Sequence, residues 1–113
     1  MTLTFYGLKS CDSCRAALKA LAEAGIETEV KDVRADGVPE DVLRKALDQH
    51  GEERVVNRRS TTWRGLDEAA RAQDPVTLLA ANPSLIKRPL ILTEHGSSSI
   101  GWDAAARAAL GIG

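Results

Sequence analysis

The segment from Thr2 to Asp32 constrains this chain most, because it reads as a short strand, a helix and a second short strand. Thr2-Leu3-Thr4-Phe5-Tyr6 alternates and is rich in β-branched and aromatic residues, Gly7 ends it, and Asp12 to Ala24 has helical character. Gly25 suits a helix stop, and Ile26 to Asp32 reads as the next strand. A helix of at least about ten residues between two short strands makes them parallel neighbours with a right-handed crossover. The chain therefore begins as an α/β protein.

Cys11 and Cys14, in Leu8-Lys9-Ser10-Cys11-Asp12-Ser13-Cys14-Arg15, are the only cysteines, and they sit where the first strand turns into the helix. A sulfur at a helix start meets unpaired backbone N–H groups and the positive end of the helix dipole, which favour thiolate over thiol. Cys11 is thus poised to attack, and Cys14, one turn later, is within reach of it. Three other readings stand beside this one. Zinc needs four ligands, and beyond the sulfurs only His50 and His95 are on offer, at no finger spacing; no metal site is expected. A structural disulfide closing so short a loop constrains the unfolded chain little. Inert packing suits Cys14, which shares a helix face with Leu18, Leu21 and Ala22, but explains Cys11 poorly.

At 113 residues the chain is expected to form one domain, 1–113, with a core that needs no disulfide. A formal net charge of −1 argues against nucleic-acid binding driven by bulk charge. No apolar run is long enough to span a bilayer, and the N-terminus lacks the basic start and apolar core of a secretory signal. A cytoplasmic protein, in a compartment that keeps thiols reduced, is expected.

Further along, Pro39 opens a helix over Glu40 to His50 with Val42, Leu43, Ala46 and Leu47 on one face. A polar, arginine-rich connection follows, then a short helix over Leu66 to Ala72. Asp74-Pro75 is an N-cap followed by proline at the first helical position, starting a helix that Asn82-Pro83 stops. Leu90 to Thr93 and Ser98 to Ile100 read as a hairpin around Glu94-His95-Gly96, and Asp103 to Leu110 as a last helix. This order matches a thioredoxin-like fold: a small mixed four-stranded sheet with an inserted helical region, about 39–83.

The segments Asn57-Arg58-Arg59-Ser60-Thr61-Thr62-Trp63-Arg64 and Asn82-Pro83-Ser84-Leu85-Ile86-Lys87-Arg88-Pro89, downstream of Tyr6-Gly7 and Cys11, resemble the arsenate reductase-like (ArsC) family of thioredoxin-fold proteins. The Thr-Thr-Trp-Arg stretch resembles most its small YffB-type members, regarded as glutathione-dependent thiol reductases. The resemblance covers essentially the whole chain and implies a cysteine nucleophile at Cys11. Two departures qualify it. Arsenate reductases of the family hold their oxyanion with several arginines, of which only Arg88 keeps its place; the others align with Asn57 and Gly101. An amide and a glycine replace planar, bidentate donors there, so arsenate reduction becomes an alternative. Many of the resembling reductases also lack a cysteine at position 14, whereas the Spx-type regulators of the same family carry the pair. They imply a second alternative, a disulfide switch controlling contact with RNA polymerase.

The resemblance and the residues themselves together suggest the remaining roles. Arg88 is expected to stabilise the Cys11 thiolate or an incoming glutathione carboxylate. Pro89 is expected in the cis form that thioredoxin-like proteins place beside the nucleophile, exposing backbone to an extended substrate. Arg59 and Thr61 match positions in the reductase subgroup's motif and are expected to bind substrate, and Lys9 and Arg15 add positive field that Asp12 opposes. Trp63 and Trp102 read as core anchors, and His50 and His95 as a helix-end and a turn residue. The expected reaction is thiol–disulfide exchange at Cys11, with Cys14 as possible resolving thiol and no bound cofactor. Glutathione, or a glutaredoxin- or thioredoxin-type partner, is the expected reductant.

Overall fold

The computed structural model describes residues 2–111. Its sheet has four strands in the order β2-β1-β3-β4, with β1 Thr2–Gly7, β2 Glu27–Asp32, β3 Leu90–Leu92 and β4 Ser98–Ile100. β1 pairs in parallel with β2, Phe5 opposite Val30, and antiparallel with β3, Phe5 opposite Ile91; β3 and β4 form the expected antiparallel hairpin. The mixed α/β, thioredoxin-like architecture read from the sequence is the one observed.

Alternation along β1 serves two cores. Leu3 and Phe5 pack with Ile91 against α1, Asp12–Glu23, through Cys14, Ala17 and Leu21. Tyr6 faces the other side, where α2, Glu40–His50, and α6, Pro75–Ala81, cover the sheet with Val42, Leu43, Leu78 and Leu79. Full burial of each such leucine contributes roughly 1.5–3 kcal/mol, so these two faces hold the layers together. α1 ends in a Schellman motif: Gly25 at φ +71 donates to Ala22, and Ile26 donates to Leu21 while packing in the same apolar cluster.

The arginine-rich connection is more structured than its sequence suggests. It holds two single-turn helices, α3 Glu52–Val55 and α4 Thr61–Arg64, and a third, α5, spans only Glu68–Arg71 of the expected 66–72 helix. Tertiary contacts sustain them. Ser60 caps α4 by accepting from the Trp63 amide at 3.1 Å, and Arg71 Nη2 donates to the Trp63 carbonyl at 3.0 Å. A 3-10 turn at Pro83–Leu85 follows α6. The segment after it is stitched to the end of α3, Asn57 donating to the Leu85 carbonyl at 2.7 Å and Lys87 to the Val55 carbonyl at 2.8 Å. The inserted region thereby fixes the chain that enters β3. The closing helix α7, Ala104–Ala109, is capped by Asp103, which accepts from the Ala106 amide.

Candidate active site

β1 runs into α1 through a turn in which the Cys11 amide donates to the Leu8 carbonyl at 3.1 Å. Cys11 is the N-cap residue of α1, with extended backbone (φ −85°, ψ 123°), and its carbonyl accepts the first helical bond from Arg15. Cys14 lies in the first turn, 1% exposed, on the face that also buries Ala17 and Leu21. Both cysteines are free thiols, Cys11 half-buried.

Gly7 makes room for this arrangement. A β-carbon at position 7 would lie 2.7 Å from Cys14 Sγ and 2.6 Å from Phe5 Cε1, closer than van der Waals contact permits. Only the missing side chain lets the Cys14 sulfur settle against β1.

The two thiols are electrostatically unlike. Partial burial works against the Cys11 thiolate, but the Cys14 N–H, the Cys14 thiol and the Arg88 guanidinium outweigh it and hold the Cys11 pKa below the ordinary thiol range. Burial pushes Cys14 up to about 11, reinforced by its role as proton donor to Cys11 and by the neighbouring charge. At neutral pH the pair is therefore one half-buried sulfur whose thiolate form is favoured and one buried S–H that supports it.

Arg88 reaches Cys11 from the segment entering β3. Its Nη1 donates to the Ser84 carbonyl at 3.0 Å, and its Nε is buried without a partner among the described residues. The Arg88–Pro89 peptide bond is cis, as the sequence led one to expect, and the buried Pro89 accepts from the Gly101 amide at 3.0 Å.

Cys11, Cys14, Arg88 and Pro89 thus come together, while the other expected site residues lie elsewhere. Lys9 lines an apolar hollow of about 320 Å³ with Leu8, Arg15, Leu18 and Val30, on the β2 side of the cysteine turn. Arg15 is ion-paired with Asp12. Arg59 lines a separate hollow of about 420 Å³ with Glu53, Asn57, Arg58 and Lys87, so that three cations and one carboxylate face it. Thr61 is exposed at the start of α4, and it is Thr62 that reaches toward the site, its hydroxyl 2.8 Å from Ser84 Oγ. Both Thr62 and Ser84 stand in the motif segments, but nothing in the sequence pairs them across 22 positions. Trp63 and Trp102 pack against the two cores. His50 Nε2 meets the Ser98 carbonyl at 2.9 Å, and His95 is exposed in the hairpin turn. Among the described residues no three His, Cys, Asp or Glu side chains cluster to hold a metal ion, and no helix is long and apolar enough to cross a membrane.

Comparison with known proteins places this geometry. An uncharacterised protein of Haemophilus influenzae is 46% identical over 105 residues, covering 89% of this chain and 91% of its own. The global transcriptional regulator Spx of Staphylococcus saprophyticus is 29% identical over 97 residues, covering 81% of this chain and 74% of its own. Among solved structures, a YFFB protein superposes with a TM-score of 0.84 at 35% identity, covering 95% of this chain and 96% of its own. A possible arsenate reductase of Streptococcus mutans superposes with a TM-score of 0.81 at 26% identity, covering 97% and 98%. The fold is that of the arsenate reductase-like thiol oxidoreductases. The ArsC family profile matches residues 6–110, and the chain belongs to the ArsC family.

Proposed function

We propose that the chain is a glutathione-dependent thiol reductase acting in the reducing cytoplasm, with Cys11 as nucleophile. One observation carries this reading: half-exposed Cys11 at the mouth of α1 lies between a buried thiol donor and a guanidinium, beside the cis Arg88–Pro89 bond. The Cys11 thiolate attacks the glutathione sulfur of a mixed disulfide, the S–S bond breaks, and the substrate leaves as a thiolate that takes a proton from solvent. A Cys11–glutathione disulfide remains. Arg88 and the hollow lined by Arg58, Arg59 and Lys87, whose positive charge Glu53 offsets only in part, supply donors for the glutathione carboxylates.

Cys14 is the resolving thiol. Once Cys11 is in a disulfide, its negative charge no longer opposes ionisation of Cys14. The Cys14 thiolate then attacks Cys11 sulfur, expels glutathione thiolate and leaves a Cys11–Cys14 disulfide. Two glutathione molecules, or a dithiol partner of glutaredoxin or thioredoxin type, supply the two electrons that restore both thiols.

Mass spectrometry after exposure to oxidised glutathione tests this. The adduct should form on Cys11, vanish in Cys11→Ser and accumulate in Cys14→Ser. Full disulfide reductase activity in Cys11→Ser would refute the assignment.

The cysteine pair and the likeness to Spx favour a second reading, a regulator whose Cys11–Cys14 disulfide governs contact with RNA polymerase. It requires oxidant-dependent capture of the polymerase in a pull-down. Arsenate reduction is the third reading, checked by arsenate-dependent turnover with glutathione and glutaredoxin. Arsenate would have to be held by Arg88 and the cationic hollow, since Asn57 and Gly101 offer no guanidinium.

A further inference from the structure

We propose that Thr62 is a positioning residue for the Arg88–Cys11 pair, acting through the Thr62–Ser84 hydroxyl contact that fixes the turn whose Ser84 carbonyl receives the Arg88 guanidinium. Three links make up the chain. Thr62 Oγ1 and Ser84 Oγ are 2.8 Å apart, both residues half-buried. Arg88 Nη1 donates to the Ser84 carbonyl at 3.0 Å. Arg88 in turn acts on the Cys11 sulfur as donor and as charge.

Such a chain positions a guanidinium only if its far end is itself held, and α4 is held from several sides. Ser60 caps it, and Arg71 donates to the Trp63 carbonyl through Nη2 at 3.0 Å and Nε at 3.3 Å. The guanidinium groups of Arg71 and Arg58 lie over the Trp63 ring at 5.1 and 5.5 Å from its centre. On the other side the 3-10 turn is bonded to the end of α3 through Asn57 and Leu85. Thr62 therefore projects from a clamped helix onto a turn that bears one end of Arg88. An arginine has several rotatable bonds, and orienting it beforehand spares the ordering cost at the moment thiolate forms.

The proposal rests on Cys11 being the reactive thiol, and its main readout needs no disulfide substrate. The pH midpoint of Cys11 alkylation by iodoacetamide, followed site by site by mass spectrometry, reports the groups that act on this sulfur, namely Cys14 from α1 and Arg88 from the β3 entry. In Thr62→Val the midpoint should rise by about 0.5 or more, with a roughly threefold loss of kcat/KM toward the mixed disulfide of glutathione and 2-mercaptoethanol near pH 7. Thr62→Ser should behave as the parent, and Ser84→Ala should match Thr62→Val. The double variant should be no worse than either single, because both remove one contact. An unchanged midpoint in Thr62→Val and Ser84→Ala, whatever happens to thermal stability, overturns the proposal; so does full additivity. Should Thr62→Val not fold, Ser84→Ala decides alone. A raised alkylation midpoint with no reductase activity in the parent would uphold the positioning role and refute the reductase reading.

Discussion

Cys14 Sγ occupies the space that a side chain on Gly7 would need: a β-carbon there would stand 2.7 Å from the sulfur. The same β-carbon would stand 2.6 Å from the Phe5 ring, and both side chains are buried, so neither neighbour has room to retreat. Gly7→Ala should therefore cost about 1–3 kcal/mol of stability, the usual penalty for overpacking a core. Urea denaturation would measure it. Because the displaced atom belongs to the thiol that donates to Cys11, alkylation of Cys11 near pH 7 should also slow, an effect that core strain alone would not produce.

The proposed reaction gives Cys14 two separable duties, hydrogen-bond donor to the Cys11 thiolate and resolver of its adduct. Serine retains a donor and cannot resolve; alanine does neither. Cys14→Ser should hold the Cys11 midpoint near that of the parent while leaving glutathione trapped on Cys11. Cys14→Ala should trap the adduct and also raise the midpoint, by about 0.5 or more. Equal midpoints in the two variants would mean that a hydrogen-bond donor at position 14 contributes nothing to the thiolate.

Arg88 supports Cys11 by proximity of charge and by a donor whose direction Ser84 sets. Lysine keeps the charge but loses the planar fork, and alanine loses both. Thiol exchange should fall about tenfold or more in Arg88→Ala and by an intermediate amount in Arg88→Lys, as read from pre-steady-state rates of Cys11 glutathionylation. Raising the pH toward the ordinary thiol range should recover much of the loss. If it recovers none, the guanidinium serves substrate binding rather than the thiolate.

Much of this molecule was legible from residue order, and the parts that were not share a cause. Alternation in β1, the glycine stop at Gly25 and the proline-led helix at Pro75 are local signals, and each produced the element expected of it. The single-turn helices α3 and α4 carry no apolar period because they have hardly more than one turn in which to show it. Distant partners such as Arg71 stabilise α4 instead. The site divides in the same way. Cys11, Arg88 and Thr61 stand out by motif, whereas the Thr62 contact does not, because it depends on a tertiary partner, Ser84, 22 positions away. Lys9 flanks the cysteine turn in sequence, and the hollow it borders beside β2 forms only through strand pairing, which no local signal shows.

The Cys14 thiol also leaves a signature in alkaline stability. Its pKa is raised in the folded state, so the fold favours the protonated thiol. A raised value contributes stability that is fully present below the unfolded pKa and is lost as pH climbs through the folded one. The parent should accordingly lose stability between the ordinary thiol range and about pH 11. Melting temperatures across that interval should fall more steeply for the parent than for Cys14→Ala. Parallel curves would mean that the thiol ionises as readily in the fold as in the unfolded chain.

Gly101 sits at φ +77, in the left-handed region, where it donates to the Pro89 carbonyl and so helps hold the Arg88–Pro89 segment. One of the two positions where the resemblance to arsenate reductases leads one to expect an arginine is thus one that an arginine enters only under strain. Space is not the obstacle, since the nearest atom to a β-carbon there would be Lys87 Cε at an ordinary 3.7 Å. The backbone is, at roughly 1–2 kcal/mol for a residue with a β-carbon. Gly101→Arg should therefore lower the melting temperature by several degrees and fail to confer arsenate-dependent turnover. Gly101→Asn, whose side chain tolerates this conformation better, should lose less. If Gly101→Arg instead folds at the parent's stability and reduces arsenate, the backbone at this corner adapts, and the chain lies one substitution from the oxyanion chemistry of its relatives.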